Sequence, residues 1–252
     1  MIELDRVSKR FGRRPAVDRL SLTVGRGEIF GFIGPNGAGK TTTLRMLGGI
    51  LAPDEGEIRI AGIPLARFPE EAKRRLGFIP DRPFLYEKLS AWEFLEFVAR
   101  LRGVPPAAFG GRAQALLAEF SLSAHADEPI ASFSHGMKQR LATAAALIHE
   151  PEALIVDEPL VGLDPRGVLR LKDLFRRLAA GGMTIFLSTH SLQVAEELCP
   201  RIGVIHRGRL IATGSPPELR RRAGEDLAGL EAAFLALTAE EDGGGSAAEE
   251  RR

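Results

Sequence analysis

With 252 residues, 44% of them hydrophobic and 27% charged, the chain is long enough for one large α/β domain, or for one core with a small subdomain. A formal net charge of +1 gives no global attraction to nucleic acid, and no nucleic-acid partner is expected. A single cysteine, Cys199, excludes an intrachain disulfide and any cysteine-cluster metal site.

In chain order, residues 2 to 33 read as several strands. Met1-Ile2-Glu3-Leu4-Asp5 lacks the basic start and apolar run of a signal peptide. Leu20-Ser21-Leu22-Thr23-Val24 alternates with period two, as a half-buried strand does. After the turn Gly25-Arg26-Gly27, the run from Glu28 to Ile33 reads as a continuous apolar strand. A helix is expected from about Lys40 to Leu47, which gives the order strand, glycine loop, helix. Glu57-Ile58-Arg59-Ile60 is a further alternating strand.

From about residue 82 to 150 the pattern is helical. Ser90-Ala91-Trp92-Glu93 has the spacing of a capping box opening a helix to about Leu101, and Pro105-Pro106 and Gly110-Gly111 punctuate the next stretch. Ala153 to Val156 and Thr184 to Leu187 read as buried strands separated by a helix of about fifteen residues. Apolar strands alternating with helices imply an α/β fold with a mainly parallel sheet covered on both faces. Residues 202 to 213 read as a hairpin turning at Arg207-Gly208. Arg220-Arg221-Arg222 reads as a solvated helix face. Leu230, Phe234 and Leu237 share one face of a later helix. The tail from Glu240, with Gly243-Gly244-Gly245-Ser246 and several acidic residues, reads as disordered. The longest apolar stretches are too short to span a bilayer, so a role at a membrane requires another chain to do the crossing.

The chemistry begins at Gly34-Pro35-Asn36-Gly37-Ala38-Gly39-Lys40-Thr41, which fits the phosphate-loop pattern G-x-x-x-x-G-K-[ST]. Glycines let the backbone approach phosphate, and successive N–H groups plus the helix N-terminus form an anion cradle. Lys40 is expected to neutralise the β- and γ-phosphates of ATP, and the Thr41 hydroxyl to ligate Mg²⁺. The glycine spacing is wrong for a dinucleotide fingerprint, which would also leave Lys40-Thr41 unexplained. Asp157 and Glu158 close a buried strand, at the edge where open α/β sheets bind ligands. Asp157 is a candidate for holding Mg²⁺, and Glu158 for general base toward the attacking water. An Asp-Glu pair after a strand is a weak signal alone and gains weight beside the phosphate loop. His190, just beyond the next buried strand, reads either as a structural histidine or as a contact to the γ-phosphate or to Glu158. Ser134 reads as the N-cap of an amphipathic helix through Arg140, and its helix start as a second anion site.

In Phe133-Ser134-His135-Gly136-Met137-Lys138-Gln139-Arg140 the chain closely resembles the ATP-binding cassette family, the nucleotide-binding subunits of ABC transporters. That family's signature reads Ser-Gly-Gly-Gln, and here stands as Ser134-His135-Gly136-Met137. The motif order matches too: phosphate loop, signature, then the Asp157-Glu158 strand. Gly162-Leu163-Asp164 looks like the family's D-loop and His190 like its switch histidine. Phe11 falls where the family places an aromatic that stacks on adenine. The single cassette, His135 and Met137 in the signature, and the ending Phe234-Leu235-Ala236-Leu237-Thr238 look like bacterial exporters of the ABC-2 type.

The resemblance implies a P-loop NTPase fold: a RecA-like core with an antiparallel β subdomain, and a helical, signature-bearing subdomain at about 82–150. It implies a cassette over 1–222, a C-terminal helix over 223–239 and a disordered tail over 240–252. ATP would be held by Gly34 through Thr42, Thr42 included, with Mg²⁺ at Thr41 and Asp157. Two cassettes, identical or homologous, would close head to tail, with Ser134 and Gly136 acting on the other subunit's nucleotide. The expected partners are multi-span membrane permease subunits, which places the chain on the cytoplasmic face of the membrane. The second reading is a soluble cassette ATPase outside transport, as in iron–sulfur cluster assembly. One departure stands out: after Gly77-Phe78-Ile79-Pro80 the family usually has Gln, and this chain has Asp81, expected to keep a metal-sensing role.

Overall fold

The computed structural model describes residues 1–160, 164–224 and 229–249. The first half contains β1 Ile2–Phe11, β2 Arg14–Val24, β3 Ile29–Ile33, α1 Lys40–Leu47, β4 Glu55–Ile60, β5 Ile63–Pro64, α2 Pro69–Arg74, β6 Leu76–Ile79, α3 Ala91–Leu101 and α4 Pro106–Glu119. The second contains α5 His135–Leu147, β7 Ala153–Asp157, α6 Pro165–Ala180, β8 Thr184–Ser188, α7 Leu192–Leu198, β9 Arg201–His206, β10 Arg209–Gly214, α8 Pro216–Ala223 and α9 Leu230–Glu249.

Two sheets result. One is antiparallel, in the order β2-β1-β4-β5; the other runs β10-β9-β3-β8-β7-β6. In the second sheet β9, β3, β8, β7 and β6 are mutually parallel, and β10 joins antiparallel to β9. The β9–β10 turn places Arg207 and Gly208 at φ 46° and 82°, the pair of positive values a tight hairpin requires.

Side-chain alternation divides the core. Ile29, Ile33, Leu154, Val156, Ile185 and Leu187 face the side covered by α5, α6 and α7. Phe30, Phe32, Ile155 and Phe186 face α1 and the antiparallel sheet. Phe186 is tilted against Phe30 and Phe32 at centroid distances of 5.7 and 5.2 Å, and truncation of so buried a ring typically costs about 3–5 kcal/mol. Both faces of the parallel strands are therefore covered, which is why they read as unbroken apolar runs.

In the helical region, Ser90 Oγ accepts from Glu93 N while Glu93 accepts from Ser90 N, the reciprocal cap its spacing implied. Gly110-Gly111 does not interrupt α4. Each glycine costs a helix only about 1 kcal/mol, and the alanine- and leucine-rich turns on both sides carry the helix through. Leu230 and Leu237 are buried and Phe234 packs beside them, as their shared face predicted. The helical backbone of α9 runs from Leu230 to Glu249, a span that includes the first part of the tail from Glu240. Residues 250–252 of that tail, and 225–228 within the expected C-terminal helix, lie outside the described residues. Among the described residues, no helix is long and apolar enough to cross a membrane.

Candidate active site

The sheet order brings four distant segments to one edge. β3, β8, β7 and β6 are adjacent parallel strands, and from their C-terminal ends emerge the phosphate loop, His190, Asp157-Glu158 and Asp81. They line a cleft of about 610 Å³ together with Asn36, Gly37, Gly39, Lys40, Thr41, Thr42, Ala16, Arg82 and His135.

The loop's glycines are required by geometry at two positions. A Cβ on Gly34 would lie 2.3 Å from the Ile205 carbonyl oxygen. Gly39 caps α1 at φ 111°, and a Cβ there would lie 2.4 Å from the Ala16 carbonyl oxygen. Ala38 is buried beneath the loop, while Asn36 and Gly37 are exposed. Lys40 Nζ folds back to donate to the carbonyls of Gly34 (2.5 Å) and Pro35 (3.1 Å). Burial lowers the Lys40 pKa, opposed by the nearby Glu158 and Asp157 carboxylates. A lysine held by two carbonyls in a half-buried site is poised to exchange them for phosphate oxygens, which compensate its charge better.

Glu158 adopts a left-handed backbone at φ 48°, costly for a non-glycine residue, at the sharp exit from β7. Its carboxylate accepts from Thr189 Oγ1 (3.0 Å) at Oε2 and from His190 N (2.7 Å) at Oε1, and Oε1 also meets His190 Nδ1 at 2.8 Å. A carboxylate offers about four acceptor positions, so three partners leave one, on Oε2, for a water proton. Burial is the main cause raising the Asp157 pKa; the Glu158 and Asp81 charges add to it, and the neighbouring Ser188 hydroxyl and Lys40 oppose it. Thr41, Asp157 and Asp81 are the oxygen donors on this cleft suited to a hard cation. Among the described residues no group of three or more His, Cys, Asp or Glu side chains could hold a metal by itself. That pattern fits a cation held mainly by phosphate and water.

The family model for ABC transporters matches residues 17–161. The chain belongs to the ABC transporter family. It is 44% identical over 218 residues to "Nod factor export ATP-binding protein I" of Paraburkholderia xenovorans (strain LB400), covering 86% of this chain and 72% of that protein. A solved "ATP binding subunit of ABC transporter" superposes with a TM-score of 0.89 at 36% identity, covering 94% of this chain and 99% of that one. The dimeric post-hydrolysis state of the cassette MJ0796, bound to ADP and Pi, gives a TM-score of 0.77 at 26% identity, covering 85% and 98%. This ABC cassette is accordingly an ATP-binding and ATP-hydrolysing subunit with the P-loop fold of its family.

Not every candidate residue reaches the cleft. Ser134 and Gly136 line a separate cleft of about 620 Å³ with Arg140, Asp164 and Arg166, although His135 between them faces both. Ser134 caps α5, accepting from Met137 N at 3.3 Å. Phe11 is 57% exposed near the β1–β2 turn and is absent from the cleft lining; Gly34, Pro35 and Ala38 support the loop from outside that lining. Of the D-loop resemblance, Gly162 and Leu163 lie outside the described residues, and Asp164 caps α6 by accepting from Gly167 N at 2.6 Å. Thr189, Arg82 and Ala16 were not singled out from sequence; Thr189 was signalled only by its place directly before His190.

Proposed function

We propose that this ABC cassette drives export through separate membrane subunits by closing head to tail on a second cassette, ATP lying between the two. The observation that carries this reading is the division of the site. Phosphate loop, base and histidine share one cleft, whereas Ser134 and Gly136 at the N-terminus of α5 lie outside it and are left to face a nucleotide on another subunit. The dimeric cassette among the similar structures and the export protein among the relatives support the same assignment.

Within the cleft, Gly34 through Thr42 cradle the phosphates and Lys40 neutralises them. Phe11, exposed near the β1–β2 turn, is available to stack on adenine. Thr41 and Asp157 would hold Mg²⁺, with Asp81 beside them; the cation would neutralise charge on the β- and γ-phosphates. Glu158 takes the proton of the attacking water at its remaining acceptor position. His190, its Nδ1 turned to Glu158, lines the cleft beside the phosphate loop. Ser134 and Gly136 of the second subunit complete the γ-phosphate contacts.

A membrane partner has a suitable surface. Phe84 is 83% exposed and Leu101 68%, and Phe84 stacks edge-on against Tyr86 (5.8 Å), which stacks on Phe97 (5.2 Å). Uncovered aromatic patches of this kind mark interaction sites. We place the chain on the cytoplasmic face of the membrane, bound there to a multi-span permease. A soluble cassette role, as in iron–sulfur assembly, leaves that patch and the export relative without a purpose.

Subunit mixing tests the shared site. Lys40→Ala and Ser134→Ala chains should each be inactive alone. Mixed, they form one composite site from an intact loop and an intact signature, and ATPase activity should reappear. No recovery on mixing, with both variants folded and dimerising, would refute the division of the site between subunits.

A further inference from the structure

The second cleft, between α5 and α6, holds a polar group that the protein leaves unserved. Gln139 lines this cleft and is only 3% exposed, and its side-chain oxygen is buried without a hydrogen-bond partner. A buried amide oxygen in that state is costly unless something else donates to it. Thr143, one turn further on, donates to the Gln139 main-chain carbonyl at 2.9 Å and so does not serve the side chain. Two helix faces build the walls. Gly136, Gln139 and Thr143 recur at three- and four-residue spacing on α5, and Arg170, Leu171 and Leu174 do so on α6. Leu171, Leu174 and Phe120 are buried and make the floor apolar. The mouth is cationic. Asp164 is engaged in capping Gly167 N, and Glu119 pairs with Arg177. Arg166 is exposed, with no ion pair or hydrogen bond among the described residues, and Arg170 reaches the Ser121 hydroxyl at 3.5 Å. A volume of about 620 Å³ is that of a small-molecule site.

We infer that this cavity binds an amphipathic organic anion, and that its occupant holds the cassette open. The apolar body of the ligand lies against Leu171, Leu174 and Phe120. Its anionic group meets Arg166 and Arg170, and an N–H or O–H of the ligand donates to the Gln139 oxygen. A polyphosphate lacks the apolar body and, fully ionised, has no proton to donate, so the cavity is not a second copy of the phosphate cleft. The occupant stands against Ser134 and Gly136, which line the same cavity. It therefore competes with closure on a second subunit, and not with ATP in the phosphate cleft. That consequence rests on the reading of Ser134 and Gly136 as the face offered to the other subunit's nucleotide; binding to the cavity does not.

Dansylglycine carries these features in fluorescent form: a naphthalene body, a carboxylate and one sulfonamide N–H. Dansylsarcosine differs by a methyl group in place of that N–H hydrogen, and dansylamide lacks the carboxylate. Titrated on the full chain, dansylglycine should bind about fivefold to tenfold more tightly than dansylsarcosine, the ordinary range for one hydrogen bond. Gln139→Leu should abolish that preference by weakening dansylglycine alone. Its chemical unfolding midpoint should be unchanged or higher, because an apolar side chain removes the unmet acceptor. Arg166→Ala should weaken both acids and leave dansylamide unaffected. In the Glu158→Gln chain, dansylglycine should convert the ATP-bound dimer to monomer on size exclusion, and adding Gln139→Leu should raise the concentration needed by the same factor. Equal affinities for the two acids, or a preference that survives Gln139→Leu, would mean that water alone serves Gln139 and would overturn the inference. Binding lost in Phe84→Ser would place the probe on the aromatic patch and overturn it equally, as would a dimer that persists with the cavity filled while subunit mixing restores activity. If mixing fails and the probes still discriminate, the shared site falls and the cavity stands.

Discussion

His149 lies on the seam between the helical region and the parallel sheet, and it makes that seam acid-sensitive. Its Nε2 lies 3.1 Å from the Leu76 carbonyl oxygen, which fixes it as the protonated nitrogen of a neutral ring. Its Nδ1 is buried without a partner. Burial first, then the Arg102 and Arg112 charges, push its pKa down from 6.5 to about 4, against the Leu76 hydrogen bond. The sign follows from proton counting: between those values the unfolded chain binds a proton that the folded chain refuses. Stability from this group is complete above 6.5 and is lost as pH falls toward 4. At pH 5 the two values imply a loss of about 2 kcal/mol, reduced to about 1–2 kcal/mol by the partial exposure of the ring. For a chain of this size that corresponds to a melting temperature about 3–6 °C lower. His149→Gln places an N–H near the position of Nε2 and cannot titrate. Thermal unfolding of both proteins at pH 7.5 and 5 isolates the effect, because all other groups are common to both. The drop in melting temperature between the two pH values should be smaller in His149→Gln by that amount. An equal drop in the two proteins would refute the assignment of a neutral, proton-refusing histidine at the seam.

Three further outcomes concern the cleft and its surroundings. Glu158→Gln removes the base while keeping one acceptor oxygen for His190 N and an amide NH2 that can donate to Thr189 Oγ1; turnover should fall about 10²–10⁴-fold with ATP still bound, and an ATP-dependent dimer should persist on size exclusion. Gly39→Ala, with its Cβ 2.4 Å from a backbone oxygen, should cost more than the roughly 1–2 kcal/mol of a left-handed alanine and abolish nucleotide binding, whereas Gly37→Ala, at φ 78° with nothing within 4 Å, should cost only that strain, as chemical unfolding and ATP titration would measure. Phe84→Ser, at a side chain 83% exposed, should change stability by less than about 0.5 kcal/mol and leave ATP binding intact while abolishing copurification with the membrane subunits.

What could be read from sequence was what is local. The phosphate loop, the Ser90 cap and the Arg207-Gly208 turn each depend on residues a few positions apart, and their physics is complete within that span. α2 and β5 escaped notice because six and two residues carry no periodicity to detect. Gly110-Gly111 misled as punctuation because a glycine's penalty in a helix is smaller than the gain from the turns on either side. The cleft itself was legible only in part. That Asp157 and His190 lie at one edge came from two parallel strands; that Asp81 joins them depends on β6 pairing with β7 across more than seventy residues of chain. The cis separation of Ser134 and Gly136 from the phosphate loop has no local signature at all, because it is set by how α5 packs on the rest of the helical region.

The same strand that delivers Asp81 to the cleft also leads directly to an exposed aromatic patch. β6 is the edge strand of the parallel sheet, hydrogen-bonded to β7 on one side only. Past Ile79 the chain presents Asp81 to the cleft and, three residues later, the exposed ring of Phe84, tied through Tyr86 to Phe97 on α3. A segment so short cannot absorb a shift of Asp81 within its own slack, since each residue spans at most about 3.6 Å. A displacement of Asp81 would therefore be passed toward Phe84, and the edge position of β6 leaves only one ladder to resist it. Had the acidic residue stood on β8, between two ladders, the same displacement would have been met by the sheet. The charge at position 81 and the exposed ring at position 84 thus stand on one short segment, whose outer end the docking test on Phe84 probes.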